Sequence, residues 1–131
     1  MIKPEHVIAL IDSREQLPLD VKPLRFESTT LQTGDYTARG IEDVCRIERK
    51  SLPDLLGCVG RDRQRFEREI ERLRAFPVPV LVVEAVWPQI EMGGWRSKVK
   101  PNAVIGSLLG WQARGIAVHL VGDHDRAGRH V

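Results

Sequence analysis

The stretch RIERKSLPDL (residues 46–55) places charged side chains in a segment that has the pattern of a strand followed by a helix. Side chains two positions apart in a strand share one face, so Glu48 and Lys50 are expected to be neighbours while Arg49 points to the opposite face. Ser51 is a preferred residue type for the N-cap of the helix that follows. The segment therefore predicts a strand that carries charge on both faces and leads directly into a short helix.

Two further carboxylates are expected to lie close to this strand. The segment TGDYTARG (residues 33–40) reads as the preceding strand of a hairpin and places Asp35 at its start. The apolar run HVIALID (residues 6–12) reads as a central strand that ends at Asp12, where such sheets commonly open a ligand crevice. Carboxylates crowded in this way repel one another unless a cation or protons neutralise them, and oxygen ligands suit Mg²⁺ or Mn²⁺.

The rest of the chain predicts one α/β domain, in which a central mixed sheet is flanked by helices. Continuous apolar runs alternate with helical patterns, as is typical of this fold class. The run VPVLVVEA (78–85) predicts a second central strand, and IAVHLV (116–121) predicts the last one. Helices are predicted over 61–76, over 102–115 with Asn102 as the N-cap, and over the last seven residues.

Composition excludes several classes of protein. With 131 residues, 42% hydrophobic and 29% charged, the chain has the composition of a single globular domain. It contains no apolar run near the roughly 20 residues that span a bilayer and no leader pattern, so we expect no membrane association and an intracellular location, nucleoid-associated in a prokaryote or virus and nuclear in a eukaryote. Cys45 and Cys58 form no CxxC pair and are expected to be reduced. The net charge of +2 permits nucleic-acid binding but does not diagnose it.

The charged residues also match a known signature. Gly34-Asp35, then Glu48-Arg49-Lys50, then Asp54 follow the order Gly-Asp, spacer, Glu-Arg-Lys, three residues, Asp, and IDSRE (11–15) lies upstream. This arrangement resembles the nuclease domain of the XPF family, and the resemblance covers most of the chain. It implies a restriction-endonuclease-like fold, with residues 1–131 forming one XPF-type nuclease domain.

The resemblance implies a role for each residue of the signature. Asp12, Asp35 and Glu48 would bind Mg²⁺ or Mn²⁺, with Glu15 close by as a further ligand. Lys50 would position or activate the attacking water and counter the charge that develops on the phosphate. Arg49, Asp54 and Arg14 are expected to support these groups without doing chemistry. Arg49 is expected to contact Asp54, and the resemblance implies that it also matters for activity.

A second set of residues is predicted to contact DNA. Arginines spaced along the helix over 61–76 form a basic face that suits phosphate binding, although a solvated face paired with Glu69 and Glu71 explains the same spacing. Trp95 lies in a glycine-rich loop with basic neighbours, which suits base stacking, and the alternative is a tryptophan packed on the core. The candidate contacts are Arg61, Gln64, Arg65, Trp95, Lys98 and Lys100.

Together these observations predict a metal-dependent endonuclease that hydrolyses phosphodiester bonds at branched, flapped or junction DNA. The alternative is a catalytically inactive DNA-binding or partner-binding module of the same fold, and the complete set of acidic residues and lysine favours the nuclease. XPF-family proteins usually continue into a tandem helix-hairpin-helix region, which does not follow Val131. A homodimer or a DNA-binding partner protein is therefore also expected.

Overall fold

A six-stranded mixed sheet forms the centre of the computed structural model, which describes residues 3–131. The strand order is β2-β1-β3-β4-β5-β6. Strand β1 runs parallel to β2 and antiparallel to β3, β3 and β4 form the predicted antiparallel hairpin, and β4, β5 and β6 run parallel. This topology confirms the mixed α/β sheet. The strands are β1 (Ile8–Asp12), β2 (Arg25–Thr29), β3 (Tyr36–Ala38), β4 (Cys45–Ser51), β5 (Val78–Glu84) and β6 (Ala117–Leu120).

Helices cover both faces of the sheet. Side chains of α1, α2 and α4 pack with Leu81 and Val83 in one apolar cluster, whereas Val82 packs with α5 in a second cluster on the other face. Strand β5 thus offers one apolar row to each face, as its uninterrupted apolar run predicted. The helices are α1 (Leu52–Val59), α2 (Arg63–Leu73), α3 (Trp87–Met92), α4 (Pro101–Ala113) and α5 (His124–His130), and a 3₁₀ turn spans Pro4–His6.

Capping residues explain where two of these helices begin. The Ser51 side chain accepts a hydrogen bond from the amide of Asp54 at the start of α1, as predicted. The Asp123 side chain accepts one from Arg126 over 2.8 Å at the start of α5. The predicted cap at Asn102 is wrong, because α4 begins at Pro101, whose missing amide proton and fixed φ suit the first helical position.

Other boundaries differ from the sequence prediction in ways that affect the site. Helix α2 begins at Arg63, so Arg61 lies in the turn before the helix and not on its basic face. Strand β2 was not predicted, because it is an edge strand whose five residues are all exposed and carry no buried alternation. Cys45 and Cys58 are free thiols, as expected. Among residues 3–131, no helix is long and apolar enough to cross a membrane.

Helix α5 lies very close to the segment that follows β1. A Cβ atom built on Gly128 would overlap the main-chain oxygen of Asp20, so only glycine allows this approach. One turn earlier, the Nε2 atom of His124 lies 3.2 Å from the carbonyl oxygen of Pro18. Helix α5 is thereby held against the 18–20 segment on one side and against the sheet on the other.

Candidate active site

A polar pocket of about 250 Å³ opens where β1, β3 and β4 meet α2. Asp12 ends β1, Asp35 immediately precedes β3, and Glu48 and Lys50 alternate along β4, so the sheet itself brings these four predicted residues together. The main chain fixes two of them, because the amide of Asp12 donates to the carbonyl oxygen of Asp35 over 2.8 Å. The full lining is Asp12, Arg14, Gln32, Thr33, Gly34, Asp35, Glu48, Lys50 and Glu69.

Asp35 and Glu48 form a closely coupled pair of carboxylates. The Oδ2 atom of Asp35 accepts a hydrogen bond from the main-chain amide of Arg49 over 2.9 Å. Burial, with a contribution from the charge of Glu15, raises the pKa of Asp35 to about 6. Burial and the charge of Asp35 raise the pKa of Glu48 to about 8. At neutral pH a proton therefore remains on the pair, which is the situation that a bound cation would relieve.

Lys50 supplies the positive charge of the pocket. Its Nζ atom lies 3.4 Å from Oε1 of Glu48 and 5.1 Å from the centroid of the Phe66 ring on α2. Burial alone would lower the pKa of Lys50, but the negative charges of Glu48 and Glu69 outweigh that effect and raise it above its ordinary value. The lysine is therefore cationic at neutral pH, beside the carboxylate pair.

The oxygen atoms available in the pocket fit a magnesium or manganese ion held mainly by two carboxylates. Asp12 lines the same pocket and accepts one hydrogen bond at each carboxylate oxygen, from Arg14 Nε over 3.0 Å at Oδ2 and from the Leu31 amide over 3.0 Å at Oδ1, so each oxygen keeps a lone pair that could face a cation. Within residues 3–131, no three His, Cys, Asp or Glu side chains converge as a ready metal cage. Mg²⁺ commonly uses only one or two carboxylates, with water and phosphate oxygens completing its shell, so Asp35 and Glu48 would suffice, with Asp12 beside them as the further predicted ligand.

Glu15 and Arg49 lie on the opposite face of the sheet from this pocket. The Glu15 carboxylate accepts a hydrogen bond from the Tyr36 hydroxyl over 2.7 Å and lies 3.6 Å from Nη1 of Arg49. The structure thus does not bring Glu15 to the pocket with the other predicted ligands. Arg14, in contrast, contacts Asp12 and lines the pocket.

The predicted contact between Arg49 and Asp54 is wrong. Arg49 points toward α5, where its Nε atom donates to Oε1 of Glu84 over 2.9 Å and its Nη2 atom lies 3.0 Å from Nδ1 of His124. Asp54 is exposed in the first turn of α1. The two side chains lie on different sides of β4, since α1 packs with the other apolar cluster.

Glu69 lines the pocket and was not identified as a site residue from the sequence. The sequence interpretation named it only as a partner of the helix arginines in the alternative of a solvated face. The spacing along α2 could have indicated the position of Glu69, because it lies three residues after Phe66 and therefore on the same side of the helix. Phe66 in turn packs beneath Lys50. Gln32 and Thr33 were also missed, since their loop has no periodic pattern.

The predicted DNA contacts divide into two groups. A second, largely apolar pocket of about 480 Å³ brings Arg61 and Trp95 together and adds Arg96. Trp95 also packs against the core, and its Nε1 atom donates to the carbonyl oxygen of Val99 over 2.7 Å. The same side chain therefore lines the pocket and packs on the core, as the alternative predicted. The remaining candidates are exposed and lie outside that pocket: Gln64, Arg65, Lys98 and Lys100.

The arginines near the start of α2 form other ion pairs than the predicted alternative, which paired them with Glu69 and Glu71. Arg61 and Arg65 lie 3.7 and 3.5 Å from the carboxylate of Asp62, and their side chains are 89% and 69% exposed. Glu71 pairs instead with Arg74 and Arg114. Exposed pairs of this kind hold their partners weakly, so both arginines are available to a phosphate.

Comparisons with known proteins agree with the fold and the signature. The sequence matches the ERCC4 domain family over residues 10–131. The fold resembles XPF from Aeropyrum pernix, with a TM-score of 0.74, 18% sequence identity and coverage of 92% of this chain and 59% of that one. The same archaeal protein in complex with DNA gives a TM-score of 0.75 at 18% identity, with the same coverage of both chains.

A further similarity is shorter. A probable threonylcarbamoyladenosine tRNA methylthiotransferase from Pyrococcus abyssi is 29% identical over 91 residues, which cover 56% of this chain and 21% of that protein. The chain thus spans about three fifths of the solved structures and about a fifth of the methylthiotransferase. Because the family match covers nearly the whole chain, the chain belongs to the ERCC4 domain family, and its fold is that of the XPF structures.

Proposed function

We propose that this domain is a divalent-metal-dependent endonuclease that hydrolyses phosphodiester bonds in branched, flapped or junction DNA. The observation that carries the proposal is the convergence of Asp35, Glu48 and Lys50 in one polar pocket. Hydrolysis of a phosphodiester at neutral pH needs a nucleophile made from water and stabilisation of the negative charge that develops on phosphorus. A pocket with an ion-binding carboxylate pair and an adjacent cation provides for both needs.

Three residues of the pocket have distinct parts in this proposed reaction. When bound, Mg²⁺ or Mn²⁺ would supply Lewis acidity and favour ionisation of the attacking water. Asp35 and Glu48 would offer the oxygens that hold the ion, and the amide of Arg49 orients the Asp35 carboxylate through a hydrogen bond. Lys50, kept cationic by its carboxylate neighbours, attracts the phosphate and offsets its charge in the transition state.

The second pocket is the proposed DNA-binding site. Arg61 and Arg96 provide cationic groups for backbone phosphates, and the Trp95 ring forms part of an apolar wall against which a base can pack. The similarity to an XPF protein solved with DNA supports nucleic acid as the substrate. We also propose that a homodimer or a DNA-binding partner protein extends this DNA-binding site, because one small domain contacts only a short length of duplex.

The test is incubation with end-labelled DNA substrates that share one sequence but form a duplex, a flap, a fork or a junction. Cleavage is expected in Mg²⁺ or Mn²⁺, with branched substrates preferred, and none in EDTA. The Asp35→Asn variant is the control for contaminating nuclease. If the parent binds these substrates but cuts none of them with either ion, the inactive DNA-binding module is the better description.

A further inference from the structure

The side chain of Arg49 is enclosed by groups from three separate parts of the fold. Nη2 of Arg49 lies 2.8 Å from Oε1 of Glu84 on β5 and 3.0 Å from Nδ1 of His124 on α5, while Nη1 lies 3.6 Å from Glu15 after β1. The arginine and the two glutamates are only 10–13% exposed. A guanidinium so deeply placed depends on its carboxylate partners, because an unpaired buried charge is costly.

This cluster is joined to the proposed active site through the backbone. Arg49 lies between Glu48 and Lys50 in β4, so its main chain sets where both pocket side chains begin. The amide of the same residue donates to Asp35 across the sheet. Strand β3 begins at Tyr36, which pairs with Ile47, so the Arg49 amide lies beyond the end of the β3–β4 pairing. The Asp35 carboxylate accepts the hydrogen bond of that amide. The position of the Arg49 backbone therefore affects three of the pocket residues at once.

We propose that Glu84 and His124 are positioning residues for the cleavage reaction. They hold Arg49 on the α5 face of the sheet, and Arg49 in turn keeps the Asp35 carboxylate aligned with Glu48 on the other face. Neither residue lines the pocket, so neither touches the substrate. This inference rests on the proposed nuclease function for its kinetic consequence, but its structural content is independent of activity.

His124 gives the cluster its geometry. Its Nε2 atom lies 3.2 Å from the carbonyl oxygen of Pro18, within hydrogen-bond distance. Its Nδ1 atom lies 3.0 Å from Nη2 of Arg49 and also 3.0 Å from Oε1 of Glu84, so the imidazole contacts both members of the ion pair. The Arg49 guanidinium is thus bound by Glu84 on one side and by an imidazole anchored to the 18–20 segment on the other.

The experiment compares Glu84→Gln and His124→Ala with the parent protein and with Glu67→Gln. Glu67 is a suitable control, because it also binds an arginine through its carboxylate, Arg114 at 2.6 Å, but lies away from the pocket. Single-turnover cleavage at saturating DNA and Mg²⁺ is expected to fall about tenfold to a hundredfold in the two test variants, since small misplacements of catalytic groups have effects of that size. DNA affinity measured in Ca²⁺ should not change. Glu84→Asp, which keeps the charge, should recover part of the rate.

The readout that does not need activity is hydrogen exchange of the Arg49 amide, followed by NMR without metal. We expect exchange at least tenfold faster in Glu84→Gln and His124→Ala and unchanged exchange in Glu67→Gln. The inference would be overturned if both test variants had the parent's exchange rate and, where the parent cuts, also the parent's cleavage rate. If the parent cuts no substrate, the exchange data alone decide the positioning role. Should Glu84→Gln fail to fold, His124→Ala decides it, because that side chain is 31% exposed and its loss is tolerable.

Discussion

The ammonium group of Lys50 lies over the ring of Phe66, 5.1 Å from its centroid. Phe66 is buried in the core on one side and forms an edge-to-face contact with Trp111, whose ring centroid is 5.2 Å away. The cation is thus directed by a ring that the core holds rigidly, and a cation over an aromatic face is attracted to it. Phe66, which anchors α2 in the core, thus also fixes the position of Lys50, one of the two positively charged residues that line the pocket; the other is Arg14.

Lys50→Ala should abolish cleavage while leaving DNA binding intact. One lysine among many basic groups adds little affinity, but its charge acts where negative charge develops, and losing such a group costs about a hundredfold or more in rate. Affinity for junction DNA would be measured in Ca²⁺ and single-turnover cleavage in Mg²⁺, with exposed Lys22→Ala as the control. Cleavage by Lys50→Ala at a rate close to the parent's would contradict the assigned role.

Asp35→Asn should lose Mn²⁺ binding and cleavage but remain folded. The asparagine oxygen can still accept the hydrogen bond from the Arg49 amide, so the local structure persists while the ligand loses its charge. Calorimetric titration with Mn²⁺ measures the loss, and Asp43→Asn in the exposed hairpin turn is the matched control. Binding of Mn²⁺ by Asp35→Asn as tight as that of the parent would show that the ligand set is wrong.

Stability in EDTA should fall as the pH rises from about 5 to 8. The folded protein keeps the Glu48 proton up to a pKa of about 8, whereas the unfolded chain releases it near 4.5. The folded state therefore binds more protons across this range, and its advantage is lost as the pH passes the raised pKa. Urea denaturation at pH 5.5 and 8 measures the difference, which Glu48→Gln should reduce. Mg²⁺ should restore most stability at pH 8, and an equal pH slope in Glu48→Gln would assign the effect to other groups.

The sequence could predict that Asp35, Glu48 and Lys50 lie together, because the determinants of their positions are mostly local. The alternation of Glu48 and Lys50 follows from the two-residue period of a strand, and the hairpin then places Asp35 beside them. The contacts of Arg49 could not be predicted in the same way. Glu84 and His124 are 35 and 75 residues distant in sequence, and no periodic pattern links them to the Glu-Arg-Lys motif.

Strand β2 could not be predicted from the sequence for a different reason. Its residues, including Phe26 with 63% of its surface exposed, are not sorted into a buried and an exposed row. Hydrophobic periodicity reports burial, so an edge strand that buries little gives no signal. The position of Glu15 relative to the pocket was likewise decided by tertiary contacts, with Tyr36 and Arg49, that local pattern does not encode.

Replacing Arg61 and Arg65 together by glutamine should weaken DNA binding and flatten its dependence on salt. Each phosphate contact contributes about 0.9 to the slope of log affinity against log salt, so losing two should reduce the slope by about 1.8. Sequence preference should change little, because these are not base contacts. The matched control is Arg126→Gln with Arg129→Gln on α5, where Arg126 has a similar pairing, 3.8 Å from Asp123. Unchanged affinity and slope would favour a solvated face.

The contact between Gly128 and Asp20 makes the domain sensitive to mutation at a distance. Any larger residue at 128 must push α5 away from the 18–20 segment, because the obstructing atoms are main chain and cannot rotate aside. His124 lies one turn earlier on the same helix and would be displaced with it. In a random-mutagenesis library selected for loss of cleavage, we expect Gly128→Ala to be recovered among variants that still bind DNA. Exposed Gly106, with nothing within 4 Å of an added Cβ, should tolerate the same change.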